Sequence, residues 1–312
     1  MQALAEITLP VFLVLGLGWV AVWRGLMRLE DVEGLMRFAQ NFAIPALLFT
    51  AVAKLDIGSR FDLGLLVSYY GGSLTVFAAG SLGARYLFGR AAPDAVAVGF
   101  IAMFGNSVLL GLPIGERAYG AGVVEFTVAI LAIHAPFCYL VGITAMEVVL
   151  AGPGSIGKTV VKVARSMATN ALMIGIALGF VVNLTGLPIP TVIAAPLDLL
   201  ARAALPAALF ALGGVLYRYR PEGDVRLIAY TIALKLGLHP TIALLLGTQV
   251  FDLAPEPLRA AVVTATVASG VNAYLFAHMY GRAQRVAASA VLVGTVITLF
   301  TATGWLVVLG PL

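Results

Sequence analysis

The chain has 312 residues, 61% hydrophobic and 11% charged, with mean hydropathy +1.01 and a formal charge of +4. Soluble domains carry roughly 25% charged residues, so a water-soluble globular domain is excluded. Its apolar runs match the ~20 residues of a membrane helix, not the ~10-residue alternating strands of a membrane barrel. The one cysteine, Cys138, lies in such a run and leaves no intrachain disulfide to form.

In chain order, hydropathy predicts about ten membrane spans joined by short loops. The first five are Ala3–Trp23, Val32–Ala53, Leu63–Ala84, Ala95–Pro113 and Gly120–Leu150. The other five are Met167–Leu187, Val192–Tyr217, Leu227–Val250, Pro257–Tyr280 and Val286–Leu309. The opening stretch lacks the basic residues of a cleaved signal peptide, so the first run is expected to remain as a span. The expected division is 1–150 as one five-helix repeat, 151–165 as a cytoplasmic linker and 166–312 as the second repeat.

Basic residues set the expected orientation. One set of loops carries Arg24, Arg28, Arg85, Arg90, Lys158, Lys162, Arg165, Arg218, Arg220, Arg226, Arg282 and Arg285. The opposite set has only Lys54, Arg60, Arg117 and Arg259. The positive-inside rule makes the richer set cytoplasmic, with both termini outside. This bias also explains the net charge without a nucleic-acid partner.

One phrase occurs twice: Ile44-Pro45-Ala46-Leu47-Leu48-Phe49 and Leu205-Pro206-Ala207-Ala208-Leu209-Phe210. A proline inside a helix removes a backbone hydrogen bond and is expected to kink or break spans two and seven. Five spans per half is an odd number, so the second half enters the membrane inverted. Interrupted segments in matching places of two such halves are the sequence mark of a transporter's binding site.

Two further interruptions are predicted. The fourth span contains Gly105-Asn106-Ser107 and Gly111-Leu112-Pro113; the ninth contains Ser269-Gly270-Val271-Asn272. A break within lipid is tolerated only where it faces protein or a water-filled cavity. Each C-terminal half-helix would present free N–H groups and about half a positive charge. Two such ends crossing form an anion site, with Asn106 and Asn272 as amide donors. The alternative is that both amides merely cap the broken backbone. At Ser269-Gly270, glycine is expected to supply an unusual φ.

The buried titratable groups come next. Lys235 is deep in span eight, where a charge must face the interior. It is expected to act in the anion's pathway or in a switching ion pair, the alternative being a structural lysine that bonds free carbonyls of a broken helix. His239 lies one turn further on the same face, and with His134 is a candidate proton carrier, since histidine titrates near neutral pH. Glu125 is a third candidate if span five begins early. Arg37 and Arg202 are expected to snorkel to the interface, and His278 to be structural.

Gly152-Pro153-Gly154-Ser155-Ile156-Gly157-Lys158-Thr159 satisfies the phosphate-binding loop pattern. That loop works only between a strand and a helix of an α/β domain, so no nucleotide is expected here. No metal-ligand or paired-carboxylate motif appears, and no enzyme activity, metal or cofactor is expected.

The order and spacing of several stretches resemble the auxin efflux carrier family, which includes plant auxin carriers and bacterial malonate and malate permeases. They are Leu9-Pro10-Val11-Phe12 through Gly18-Trp19, Arg24-Gly25-Leu26, and Ala43 through Phe49. Asn106-Ser107 with Gly111-Leu112-Pro113, Leu205-Pro206 through Gly213-Gly214, Lys235 with Pro240, and Val271 through Ala277 complete the set. The chain departs from the family at Ala268-Ser269-Gly270, where a proline is usual, and in its short central loop.

The resemblance implies an all-α fold of ten helices in two inverted repeats, with broken helices four and nine crossed, as in sodium/proton antiporters and bile-acid transporters. It implies a scaffold of spans one, two, six and seven, and an elevator-like mover of spans three to five and eight to ten. Asn106, Asn272, Gly105, Ser107, Ser269 and Gly270 would bind a small organic anion, with Pro45 and Pro206 lining its path. Gly111, Pro113 and Gly270 would shape the crossover. The implied protein is a homodimeric secondary transporter of carboxylates in the inner membrane, with protons the candidate coupling ion. The rival readings are an anion channel and a membrane-embedded sensor.

Overall fold

A computed structural model describes residues 2–151, 161, 168–219 and 223–310. The glycine-rich stretch at 152–159, with Lys158, and the basic residues Lys162, Arg165 and Arg220 lie outside the described residues. Described residues form helices α1 (Gln2–Trp23), α2 (Leu29–Ala53), α3 (Leu63–Tyr86), α4 (Ala92–Met103), α5 (Leu112–Tyr119) and α6 (Ala121–Ala151). Then come α7 (Ala171–Thr185), α8 (Thr191–Leu216), α9 (Val225–Val250), α10 (Pro255–Ala265), α11 (Val271–Tyr280) and α12 (Gln284–Val308). Six of them, α2, α3, α6, α8, α9 and α12, are long and apolar enough to cross a membrane. The protein is a multi-pass membrane protein, and its described residues contain no strand, only one isolated β-bridge.

The helix ends follow local chemistry. Asp62, Asn170 and Asp224 each accept backbone N–H groups of the following turn, capping α3, α7 and α9. Gly186, in the left-handed region at φ 65°, ends α7. Wide π-turns occur at Ala39–Ala43, Ser107–Gly111, Leu234–Leu238 and Leu246–Val250, and the first three are each followed two residues later by a proline: Pro45, Pro113 and Pro240. Proline cannot donate to the carbonyl four residues back, and a looser turn relieves the clash of its ring.

Pro206 does not break its helix. α8 runs unbroken through both Pro196 and Pro206, with no wide turn between Thr191 and Leu216. A proline in a helix interior costs about 3 kcal/mol or more, through the lost hydrogen bond and the clash of its ring together. In a 26-residue helix that cost is offset by packing along its buried Ala204, Ala208, Leu209, Ala211 and Leu212.

The chain divides into two compact units. One consists of Leu9–Arg60 and Arg165–Tyr219, and holds most of α1 with α2, α7 and α8. In lipid the helices of such a unit associate by close packing, since burying apolar surface from lipid gains little. Gly175 and Gly179, four apart on α7, let that helix meet α2 backbone to backbone. A Cβ on Gly175 would stand 2.6 Å from the Pro45 carbonyl oxygen, and one on Gly179 2.9 Å from that of Phe49. Asn183 then donates to the carbonyls of Val52, Ala53 and Leu55 at 3.0, 3.2 and 2.6 Å, closing the end of α2. Arg37 and Arg202 are exposed in this unit.

The other unit consists of Met1–Thr8, Phe61–Ala164 and Arg220–Leu312, and carries α3 to α6 and α9 to α12. Its core runs through Leu65, Tyr69 and Tyr70 of α3, Phe126 and Ile130 of α6, Ala243 of α9 and Ala260–Ala265 of α10. Phe100 of α4 and Phe276 of α11 stack with ring centroids 3.8 Å apart. That stack fixes the two helices on either side of the chain breaks described next.

Candidate functional site

Two helices of this unit stop inside the protein and restart. α4 ends at Met103, and Phe104, Gly105 and Asn106 run extended or turned before the Ser107–Gly111 π-turn leads into α5. α10 ends at Ala265, and Thr266 to Gly270 connect it to α11. The two irregular segments pair with each other. The Asn106 N–H donates to the Ala268 carbonyl at 2.7 Å, and the Gly270 N–H to the Phe104 carbonyl at 2.9 Å. Gly105 and Ser269 are thereby the two residues of an antiparallel bridge.

This pairing answers a hard requirement, because a backbone group left unpaired in lipid costs several kcal/mol. Side chains complete it. The Ser269 hydroxyl donates to the Ile101 carbonyl at 2.7 Å, satisfying an end of α4. Thr298 of α12 accepts the Ala268 N–H at 3.0 Å while donating to Gly294 at 2.8 Å.

What stays unpaired is informative. Neither Asn106 nor Gly270, the residues preceding the two restarted helices, makes a side-chain cap hydrogen bond. The first N–H groups of a helix have no acceptor four residues back; at α11 the Ala273 N–H turns onto the Gly270 carbonyl at 2.9 Å, and no capping side chain takes the others at either restart. Asn106 is 6% exposed, and its buried Nδ2 has no hydrogen-bond partner. Asn272, second residue of α11, is half-buried.

Beside the crossing, Lys235 is 1% exposed, and its Nζ would stand 2.9 Å from a Cβ placed on Gly105. Only glycine at 105 lets the ammonium approach the crossing this closely. Lys235 Nζ is 2.8 Å from His239 Nδ1, and His239 Nε2 lies 3.1 Å from the Tyr69 carbonyl and 3.2 Å from the Ser73 hydroxyl. Among the described residues no carboxylate lies within ion-pair distance of Lys235. The Tyr69 hydroxyl sits 3.2 Å from Ser107 Oγ and 3.5 Å from His134 Nδ1. His134 also packs on the Phe104 ring at 4.8 Å and lies 3.8 Å from the Cys138 sulfur.

The structure therefore brings Gly105, Asn106, Ser107, Ser269, Gly270, Lys235, His239 and His134 into one neighbourhood. Gly270 corrects one expectation, for its φ of −80° and ψ of 163° are ordinary extended backbone open to any residue. Glycine gives room there: a Cβ would crowd the Gly105 carbonyl oxygen at 3.2 Å. Gly111 closes the π-turn after the crossing, and Pro113 follows within the first turn of α5. Glu125 is in the first turns of α6, about 13 Å of helix rise before His134. Pro45 and Pro206 belong to the other unit, and His278 is exposed near the end of α11.

Sequence reasoning passed over Tyr69, Tyr70, Ser73, Thr298 and Trp305. The signal for the first group was present: Tyr69 and Ser73 are polar, four apart, and share one face of an apolar helix. Thr298 and Trp305 act through distant backbone, which no local spacing reveals. Among the described residues no group of three or more His, Cys, Asp or Glu could hold a metal ion.

Comparison with known proteins agrees with this architecture. A Rhizobium meliloti (strain 1021) protein named for malonate transport is 28% identical over 322 residues, covering 97% of this chain and 96% of its own. Auxin efflux carrier component 5 of Arabidopsis thaliana is 22% identical over 335 residues, covering 95% of this chain and 93% of its own. The family model described as membrane transport protein matches residues 4–306. The chain thus belongs to the membrane transport protein family, the auxin efflux carrier family, and is a membrane transporter and not an enzyme.

Proposed function

We propose that the protein is a secondary transporter of small organic anions, carboxylates above all, held where the two broken helices cross. The observation that carries this reading is the buried, unpartnered Asn106 amide beside two helix starts without side-chain caps. Free N–H groups and the positive ends of two helix dipoles favour an anion there with little need of full charges. The Lys235 ammonium, lacking a carboxylate partner, adds to the same field. A buried cation of this kind is costly alone, and a bound carboxylate would compensate it. The malonate transport named for a relative supports a carboxylate substrate.

The wider reading is ten spans in two inverted repeats, placed in the bacterial inner membrane with both termini outside. It is supported by breaks at the fourth segment of each half. The division of the chain into two compact units, one with α3–α6 and α9–α12 and one with α2, α7 and α8, supports an elevator-type mechanism in which the first unit is the mover. A monovalent carboxylate would leave the cell without further coupling, since a negative-inside potential gives about 2.3 kcal/mol per charge per 100 mV. Import of a dicarboxylate would require a coupling ion, and His134, His239 and Lys235 are the groups placed to exchange protons.

Asn106→Ala and Asn272→Ala test the site in reconstituted vesicles. Each removes one amide donor to a charged group, worth ~1.5–3 kcal/mol, so transport should fall by roughly 10-fold or more. The thermal midpoint in detergent should stay close to wild type. Wild-type transport by both variants would remove the proposed site.

A further inference from the structure

A second feature of the crossing-bearing unit has a different chemistry. Between α9 and α12 runs an apolar groove of about 490 Å³. Ala229, Ala233 and Gly237 line one side, and Ser289, Val293 and Ile297 the other. In each set the spacing is four residues, which places the members in line along one helix face. Small side chains on α9 make the depth, and beside Gly237 there is open space.

Its length is decisive. From Val225 to Gly237, at 1.5 Å per residue, the groove extends roughly 18 Å. One leaflet of a bilayer's hydrocarbon core is about 15 Å deep, half of the ~30 Å total. A transmembrane partner helix would need twice the length. A short carboxylate would need far less apolar wall.

The outer end of the groove is cationic. Asp224, adjoining Val225, is paired with Arg90 at 2.6 Å, and Asp94 lies 3.9 Å from Arg282. Arg285, one turn before Ser289, lines a neighbouring cavity of about 290 Å³ together with Arg90 and Asp224. Arg226 and Arg285 are both exposed, and among the described residues neither guanidinium has a hydrogen-bond or ion-pair partner. Among the described residues these acids are matched, and Arg285, beside the apolar slot, and Arg226, next to Val225 in sequence, are left without one.

We propose that this groove is a binding site for one anionic phospholipid, with an acyl chain lying along Ala229, Ala233 and Gly237 and its phosphate against Arg285 and Arg226. The charge at the mouth selects an anionic headgroup over a zwitterionic one. The deep end of the chain reaches Gly237, two residues from Lys235, so lipid occupancy bears on the π-turn that carries that lysine.

The test uses the purified full chain in detergent, with phosphatidylglycerol and phosphatidylcholine of identical acyl chains. Native mass spectrometry should show one retained phosphatidylglycerol per chain. Its affinity should exceed that of phosphatidylcholine roughly tenfold or more, as expected for two cations facing a headgroup of net negative charge instead of one neutralised by choline. Arg226→Gln with Arg285→Gln, at exposed positions, should abolish that preference. Ala229→Phe, whose ring occupies the slot from an exposed position, should lose the retained lipid of either kind. Equal retention of both lipids by the wild type would overturn the proposal, as would full retention of phosphatidylglycerol by Ala229→Phe. Neither readout involves transport, so failure here is separable from failure of the anion site.

Discussion

Lys235 is the residue at which stability and function pull apart. Its ammonium is buried beside the paired helix breaks, and among the described residues its hydrogen-bond partner is a histidine nitrogen at 2.8 Å. Replacing a buried ion pair by apolar residues of similar volume is often neutral or stabilising by about 1–4 kcal/mol, and a buried charge without a carboxylate partner has less attraction to lose. Lys235→Met should therefore hold or raise the thermal midpoint while sharply reducing anion transport. A lower midpoint together with unchanged transport would assign the lysine to structure alone. At the polar end of the same unit, Asp224 shows a conventional linkage. The N–H of Leu227 first, with the Arg90 guanidinium and the N–H of Arg226, holds its carboxyl below the ordinary range. A depressed carboxyl stabilises the fold above its unfolded pKa near 3.9, and that contribution disappears as pH falls through the folded value. Asn caps a helix as well as Asp, so Asp224→Asn isolates the charge. The variant's thermal midpoint should lie below wild type at pH 6 to 7, and the gap should close as the pH is lowered below about 4. A gap independent of pH would show that the charge contributes nothing.

At the scale of elements, prolines and their compensations decide where helices loosen. Pro240 has no N–H for the carbonyl of Leu236, and the indole N–H of Trp305 donates to that carbonyl at 3.0 Å instead. Trp305→Phe should leave the carbonyl unsatisfied at a cost of about 1–3 kcal/mol in unfolding free energy. In a Pro240→Ala background the residue at 240 supplies its own N–H, so the same change should cost less, and a double-mutant cycle measures the difference. Equal costs in both backgrounds would separate Trp305 from the proline. The breaks themselves were legible in the sequence, because Gly105-Asn106-Ser107 and Ser269-Gly270 interrupt apolar runs that nothing else explains. Pro206 leaves its helix unbroken for a physical reason. A proline fixes what one carbonyl loses, while packing along the remaining helix decides whether the rod bends or breaks. Gly270 was read as a φ requirement, yet the constraint comes from the Gly105 carbonyl, 165 residues away in sequence.

For the whole molecule, hydropathy carried the reading furthest, since composition alone required a multi-pass helical protein and six long apolar helices are there. The site was legible only as two short phrases. What joins them is tertiary: Ser269 to the Ile101 carbonyl, Thr298 to the Ala268 N–H, and Tyr69 between Ser107 and His134. No spacing rule links residues so far apart, and a tyrosine in an apolar run reads equally well as packing. The central claim is that the paired helix breaks hold a carboxylate. Asn106→Asp changes the amide to a carboxylate of nearly the same shape, which places a negative charge where the anion would sit. The most direct measurement is the thermal shift of purified wild type and Asn106→Asp against a panel of short mono- and dicarboxylates, because a ligand that binds the native state raises its midpoint. At least one carboxylate should raise the wild-type midpoint in a saturable way, and Asn106→Asp should fold normally yet show no shift. A wild type indifferent to every carboxylate, or a variant that keeps the full shift, would contradict the account.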